Sequence, residues 1–388
     1  MAGYDQELNL IVEQLNRAAP GSRPPDRPAP ARTPQSDSSL DQLLGYASAQ
    51  NASDILLIAG TPVSLRVNGA LAPAAGPPVS SEDIRNLVLP LLDARQYEEL
   101  QKKKSVDFCF ARDPIGRFRA NIHHQRGTLA ASIRLLPPRI PSLESLHLPA
   151  TLARLAERRQ GLVLVTGPTG CGKSSTLAAL IDLINTRRRA HIVTIEDPIE
   201  YQHVNRSSIV EQIEVGHDTP DFVNSLRSIL RQTPDVILVG EMRDTETMAT
   251  VLTAAETGHL VFSTLHTNDA PQAISRILDS FPAGHQAQMR QQMSLALLAI
   301  VAQQLVPAAD GIHRFPALEI MTATDAVRNL IRRGDDHQLR SQLTISRAEG
   351  MTTMEQSLGE LVRAGRIPRE TAFAHCARPD ELRRVLEG

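Results

Sequence analysis

From Gly161 onward, short apolar runs, broken only by Thr194, alternate with longer stretches of helical periodicity. The runs are Leu162–Val165, Ile192–Ile195, Val236–Val239 and Leu260–Phe262. A strand with no polar face is buried on both sides, so this pattern predicts a mainly parallel sheet covered by helices. After Ala270 the pattern reads as mostly helical to the end. The preceding region has a different texture. Ser64–Val67 is a short strand leading into Asn68-Gly69, a hairpin signal. A helical pattern covers Ser81 to Lys103. Two strand-like runs, Val106–Ala111 and Arg117–His123, then flank Asp113-Pro114-Ile115-Gly116. These elements predict a mixed α+β domain over 38–136. Pro137, Pro138 and Pro141 interrupt any regular element and mark a connection over 137–148, before an α/β domain over 149–388. Nearer the start, Leu8, Ile11, Val12 and Leu15 share one helical face, which suits either a short surface helix or a docking helix for a partner. Six prolines between Pro20 and Pro34 follow, so 1–37 reads as an amphipathic helix and a disordered linker. No internal repeat is visible.

Composition narrows the function classes. Hydrophobic residues make up 41% of the 388 and charged residues 22%, enough for buried cores and too apolar for global disorder. The formal net charge is −2, without the basic excess of a general nucleic-acid binder. Aromatics are 3%, with no Trp, which leaves few platforms for stacking bases. Cys109, Cys171 and Cys376 lie far apart, so neither a zinc ribbon nor a redox dithiol is expected. The longest apolar run, Leu295 to Ala302, is far short of the roughly 20 residues that span a bilayer. With no basic, apolar leader at the N-terminus, the expectation is a soluble, cytosolic protein with no direct membrane insertion.

The strongest chemical signal is Gly167-Pro-Thr-Gly-Cys-Gly-Lys173-Ser174, a match to GxxxxGK[ST] between a buried strand and a helix. Gly167, Thr169, Gly170, Cys171, Gly172 and Ser175 shape a loop whose N–H groups turn toward phosphate oxygens. Lys173 reaches the β and γ phosphates of ATP, and the Ser174 hydroxyl ligates Mg²⁺. A second carboxylate is available at the end of Asp235-Val-Ile-Leu-Val-Gly240-Glu241. Gly240 stands where an aspartate is usual, leaving Glu241 to serve the Mg²⁺ shell alone. Between these lies Thr194-Ile-Glu196-Asp197-Pro-Ile-Glu200-Tyr201, acids at a strand end that are candidates to orient or deprotonate water, or else to cap a helix. His259 and His266 bracket the run in GHLVFSTLHTN. They lack the partners of a metal site, and a polar contact or γ-phosphate sensing fits them better.

In this order GPTGCGKS, TIEDPIEY, VILVGEMRD and GHLVFSTLHTND resemble the Walker A, Asp box, Walker B and His box of the secretion ATPase superfamily. ETGHLVFSTLHT, Val327–Arg332 and Gly350–Leu358 are similar more narrowly to the type IV pilus retraction, or twitching-motility, ATPases of the PilT/PilU family. The resemblance implies a PAS-like N-terminal domain, a RecA-like P-loop ATPase domain with a helical C-terminal part, and a homohexameric ring. It also implies roles for single residues. Glu200 is the catalytic glutamate, Glu241 supports Mg²⁺, and His266 belongs to the sensor box. Arg119 and Arg134 match N-domain arginines that reach the nucleotide of a neighbouring site. Its further implications are a cytoplasmic motor held peripherally at the inner membrane, an inner-membrane pilus platform protein as partner, a possible paralogous ATPase, and no nucleic acid. The missing tetracysteine motif favours retraction over an assembly or type II secretion ATPase. An accessory retraction subunit of weak activity and a nucleic-acid translocase are the other readings.

Overall fold

A computed structural model describes residues 40–67 and 69–387. The apolar face at Leu8, Ile11, Val12 and Leu15 and the Pro-rich segment lie outside the described residues.

The first half builds one antiparallel sheet. Helix α1 (Leu40–Ala49) leads into β1 (Ala52–Ile58), and the hairpin β2 (Ser64–Val67) and β3 (Ala70–Pro73) follows. Gly69 sits at φ 84°, a conformation glycine adopts without strain. The helical stretch from Ser81 is two helices rather than one. Pro90 lies in a 3₁₀ turn over Leu89–Leu91 that separates α2 (Ser81–Val88) from α3 (Ala94–Lys103). Ser80 and Asp93 close the two helix starts with capping boxes. Strands β4 (Ser105–Arg112), β5 (Gly116–Gln125) and β6 (Thr128–Leu135) complete a six-stranded sheet of order β3-β2-β1-β6-β5-β4. Phe118, Ala120 and Ile122 of β5 face a core with Ile55, Leu57, Ile84, Leu100 and Ile133, while the odd-numbered residues of β5 face away.

The second half contains a seven-stranded sheet of order β13-β12-β7-β11-β10-β8-β9. A short helix α4 (Ala153–Ala156) precedes β7 (Gly161–Thr166), and α5 (Lys173–Arg187) follows it. Next come β8 (His191–Glu196), β9 (Ile209–Glu214), α6 (Phe222–Ile229), β10 (Val236–Val239), α7 (Thr245–Glu256), β11 (Leu260–Leu265), α8 (Ala270–Leu278) and α9 (Ala283–Ala296). Strands β7 to β11 run parallel, and every residue of β7, β10 and β11 is buried. Two cores, one on each face of the sheet, account for that burial.

The chain after Ala270 is mostly helical, but it also contributes two strands that the pattern did not predict. Leu297–Pro307 forms β12, parallel to β7, and Arg314–Thr322 forms β13, antiparallel to β12. Leu297–Ala302 is apolar throughout, a pattern that a buried helix and a central strand share. Helices α10 (Asp325–Arg333), α11 (Leu339–Ile345), α12 (Met354–Arg363), α13 (Arg369–His375) and α14 (Pro379–Glu387) do form a helical end. Arg340 of α11 ties it down, pairing with Glu319 of β13, Glu355 of α12 and Glu381 of α14. The expected mixed architecture is thus present: an α+β N-terminal domain and an α/β domain built on a largely parallel sheet.

Candidate functional site

The C-terminal ends of β7, β8, β10 and β11 lie along one edge of the parallel sheet, and the loop 167–172 springs from β7 there. Gly167, Gly170 and Gly172 have φ of 138°, 79° and 91°. A Cβ on Gly167 would lie 2.1 Å from the Gln303 carbonyl oxygen, so the loop can pass this close to β12 only as glycine. Gln303 is buried, and its side chain holds the loop from below. Its Nε2 donates to the Cys171 carbonyl at 2.6 Å, and its Oε1 accepts from the Thr176 hydroxyl at 2.8 Å. Cys171 points into this floor, and burial pushes its thiol up, so it acts as a small buried filler. Helix α5 starts without a side-chain cap. By contrast, Asp221, Asp244 and Asp269 cap α6, α7 and α8. The first N–H groups of α5 therefore face the cleft without an intrahelical partner. The Lys173 ammonium donates to the carbonyls of Gly167 at 2.8 Å and Pro168 at 3.0 Å. Burial lowers its pKa, and the charges of Glu241 and Glu200 work against that shift.

Glu241 follows β10. Gly240 before it is closely packed, since a Cβ there would lie 3.2 Å from the Ile195 carbonyl oxygen. Glu241 is instead paired with Arg243 and lies 3.7 Å from Nε2 of His266. Thr264 of β11 donates to the Gly240 carbonyl at 2.7 Å, fixing the turn that carries Glu241.

The third element is the turn after β8. Glu196 accepts from Thr194 at 2.7 Å and from Gln212 at 3.2 Å. Burial nevertheless pushes its carboxyl up to about 7. Glu200 stands further along the turn. On one side of it, Ile199 donates its N–H to Glu214 at 3.0 Å. On the other, the Tyr201 hydroxyl lies 2.8 Å from the Ser175 hydroxyl, and the Tyr201 carbonyl accepts from Gln212 at 2.9 Å.

The N-terminal sheet closes the cleft. Arg119 and Arg134 are register partners on β5 and β6 and project from the same face. Arg134 is held by Asp54 at 2.9 Å. Together with Thr169, Gly170, Gly172, Lys173, Ser174, Ser175, Glu200, Glu241 and His266 they line one cleft of about 600 Å³. Within one chain the two arginines thus face the phosphate loop of that same chain. The connection over 137–148 folds their sheet against the loop of their own chain. Gly167 and Cys171 stand behind the cleft as its support. His259 is elsewhere, its Nδ1 3.0 Å from the Ala254 carbonyl oxygen at the end of α7. Arg314 of β13 also lines the cleft, and sequence reasoning missed it because β13 was hidden in a stretch that read as helix. It missed Gln303 too. The signal available there was a pair of amides, Gln303-Gln304, inside an otherwise apolar run.

A nucleoside triphosphate fits this donor set: an uncapped helix start, a lysine, and guanidinium groups on the opposite wall. Mg²⁺ fits Ser174 with Glu241, since that ion commonly takes few protein ligands beside phosphate oxygens. Among the described residues, no group of three or more His, Cys, Asp or Glu could hold a metal unaided. No helix among them is long and apolar enough to cross a membrane.

Residues 37–334 match the family model described as Type II/IV secretion system protein. The chain is 41% identical to the type IV pilus ATPase PilU of Pseudomonas aeruginosa, over 90% of this chain and 91% of that one. It is 45% identical to a twitching motility protein of Neisseria gonorrhoeae, over 86% of this chain and 89% of that one. A crystal structure of the pilus retraction motor PilT with bound ADP superposes with a TM-score of 0.84 at 44% identity, covering 90% of this chain and all of that one (100%). A match over this much of the chain places it: the protein belongs to the type II/IV secretion system protein family.

Proposed function

We propose that the chain is a motor ATPase that couples ATP hydrolysis to retraction of type IV pili, and so to twitching motility. The observation that carries this reading is the cleft: a P-loop faced by carboxylates, Glu200 and Glu241 among them, and by the guanidinium groups of Arg119, Arg134 and Arg314, on a chain similar along most of its length to pilus retraction proteins. The motor works as a ring of six copies at the cytoplasmic face of the inner membrane, on a platform protein at the pilus base.

In this reading the loop N–H groups and Lys173 hold the phosphates of ATP, and Ser174 and Glu241 hold Mg²⁺. When bound there, Mg²⁺ neutralises charge on the β- and γ-oxygens. Glu200 orients water and takes its proton. Arg119 and Arg134 stabilise charge on the transferred group, for which planar guanidinium forks are suited. His266 senses the γ-phosphate beside Glu241.

Deleting the chromosomal copy tests the cellular role. Piliated but non-motile cells support retraction, whereas bald cells mean an assembly motor. The similarity to PilU favours a second reading, an accessory subunit working beside a paralogous ATPase. Weak turnover alone, with motility dependent on both proteins, distinguishes it.

A further inference from the structure

Glu200 is placed by its neighbours in the chain, and one of the groups that hold them belongs to the other domain. Arg117 of β5 donates from Nη1 to the carbonyl of Ile199 at 3.0 Å. That carbonyl is part of the peptide that joins Ile199 to Glu200. The N–H of Ile199 is held at the same time by Glu214 of β9. Arg95 of α3 donates to the Gly216 carbonyl, just beyond β9, at 2.7 Å. Among the described residues, these are the two side-chain hydrogen bonds that run from the N-terminal domain to the ATPase domain. Both land on the turn that carries Glu200 or on the strand end that supports it. Arg117 lies two residues before Arg119 on β5, so period-two alternation puts both on the face turned toward the ATPase domain.

We propose that Arg117 is a positioning residue through which the N-terminal domain sets the place of Glu200. With the domain seated, the peptide before Glu200 is fixed at its carbonyl and the carboxylate is aligned on water. With the domain lifted, that carbonyl loses its donor and the alignment with it. Cleft closure and proton abstraction are then one event, because the strand that delivers Arg119 also delivers Arg117. The inference rests on Glu200 being the base.

The test uses the purified full-length chain. Arg117→Ala lowers kcat by about 10- to 100-fold, the usual result of misplacing a catalytic group by an ångström or less. Its KM for ATP and its affinity for a fluorescent ATP analogue stay unchanged, because the phosphate loop is untouched. Arg117→Lys recovers part of the loss, since an ammonium can still donate to a carbonyl. In a Glu200→Gln background, Arg117→Ala adds nothing, as expected of two residues acting as one unit. Without nucleotide, amide hydrogen exchange over 197–202 speeds up in Arg117→Ala and returns toward wild type in Arg117→Lys. Unchanged kcat in Arg117→Ala overturns the proposal, as does a loss that multiplies with that of Glu200→Gln. Unchanged exchange overturns it as well. Wild-type turnover in Glu200→Gln alone has a different meaning: the base lies outside this turn, the coupling to proton abstraction is wrong, and the exchange measurement decides by itself whether Arg117 holds the turn.

Discussion

The two sheets place function in opposite ways. The antiparallel sheet keeps one face out of its core, and its functional groups stand on that face: Arg117, Arg119 and Arg134 within two adjacent strands. The parallel sheet is buried on both faces, so β7, β10 and β11 present nothing along their lengths. Its chemistry is confined to loops at the strand ends, where Lys173, Glu200 and Glu241 converge. A face can be slid or tilted against a partner as a unit. Groups at strand ends are fixed to a rigid body. One sheet suits closing and opening, and the other suits holding.

Substitutions sharpen this contrast. The largest effect belongs to the holding side. Lys173→Ala lowers ATP turnover by about 1000-fold or more, because it removes a preorganised charge from the phosphate cradle. Circular dichroism and light scattering stay as in the wild type, since the ammonium packs against no core. Normal turnover would remove the loop from the reaction. On the closing side, Arg119→Ala costs about 10- to 100-fold in kcat while binding persists. Rings that mix Arg119→Ala with Lys173→Ala subunits regain no activity, because both groups line the cleft of one chain. Rescue in mixed rings would show that the face works on a neighbour. A smaller effect is expected at the floor of the loop. Gln303→Leu leaves the Cys171 carbonyl and the Thr176 hydroxyl without their partner and costs about 1–3 kcal/mol, read as a lower midpoint in urea. Gln303→Glu keeps an acceptor for Thr176 but loses the donor and buries a carboxyl against the Cys171 carbonyl, so it is destabilising too. The smallest effect is a slope. Glu196 has a folded pKa of about 7, raised above its unfolded value, so its contribution is fully present at low pH. That contribution is lost as pH rises from about 4.5 to about 7. Glu196→Gln therefore matches wild type in thermal stability near pH 5 and exceeds it by a few degrees, about 2–4 °C, near pH 8. Parallel curves would mean that Glu196 is solvated.

How much of this the sequence disclosed depended on the sheet. The phosphate loop was legible because glycines, lysine and serine at fixed spacing between a strand and a helix point to a single chemistry, the cradling of phosphate. β7, β8, β10 and β11 were legible as short, bounded apolar runs. β12 was not, since Leu297–Ala302 continues directly from α9 and no turn residue separates them. With β12 went Gln303, and with β13 went Arg314. β1, β6 and β9 were also missed. β9, Ile-Val-Glu-Gln-Ile-Glu, is half-exposed and lacks a clean period-two alternation, so nothing in its pattern marked it as a strand. Arg119 and Arg134 came from family resemblance, and the structure adds that within one chain they line the same cleft as the phosphate loop. Arg117 carried no motif of its own. Its meaning lies in one carbonyl 82 residues away in the chain.

The helix that follows β7 begins without a cap, while those that follow β9, β10 and β11 carry an aspartate at that position. Three helices thus complete themselves from their own sequence, and the fourth leaves its first N–H groups open to an anionic ligand. Ligand that binds only the folded chain adds stability in proportion to the logarithm of its concentration over its dissociation constant. In the proposed function a nucleotide supplies the hydrogen bonds that this helix start lacks. The chain's resistance to unfolding is therefore expected to rise with the concentration of the nucleotide it turns over, so that fuel and scaffold are the same molecule.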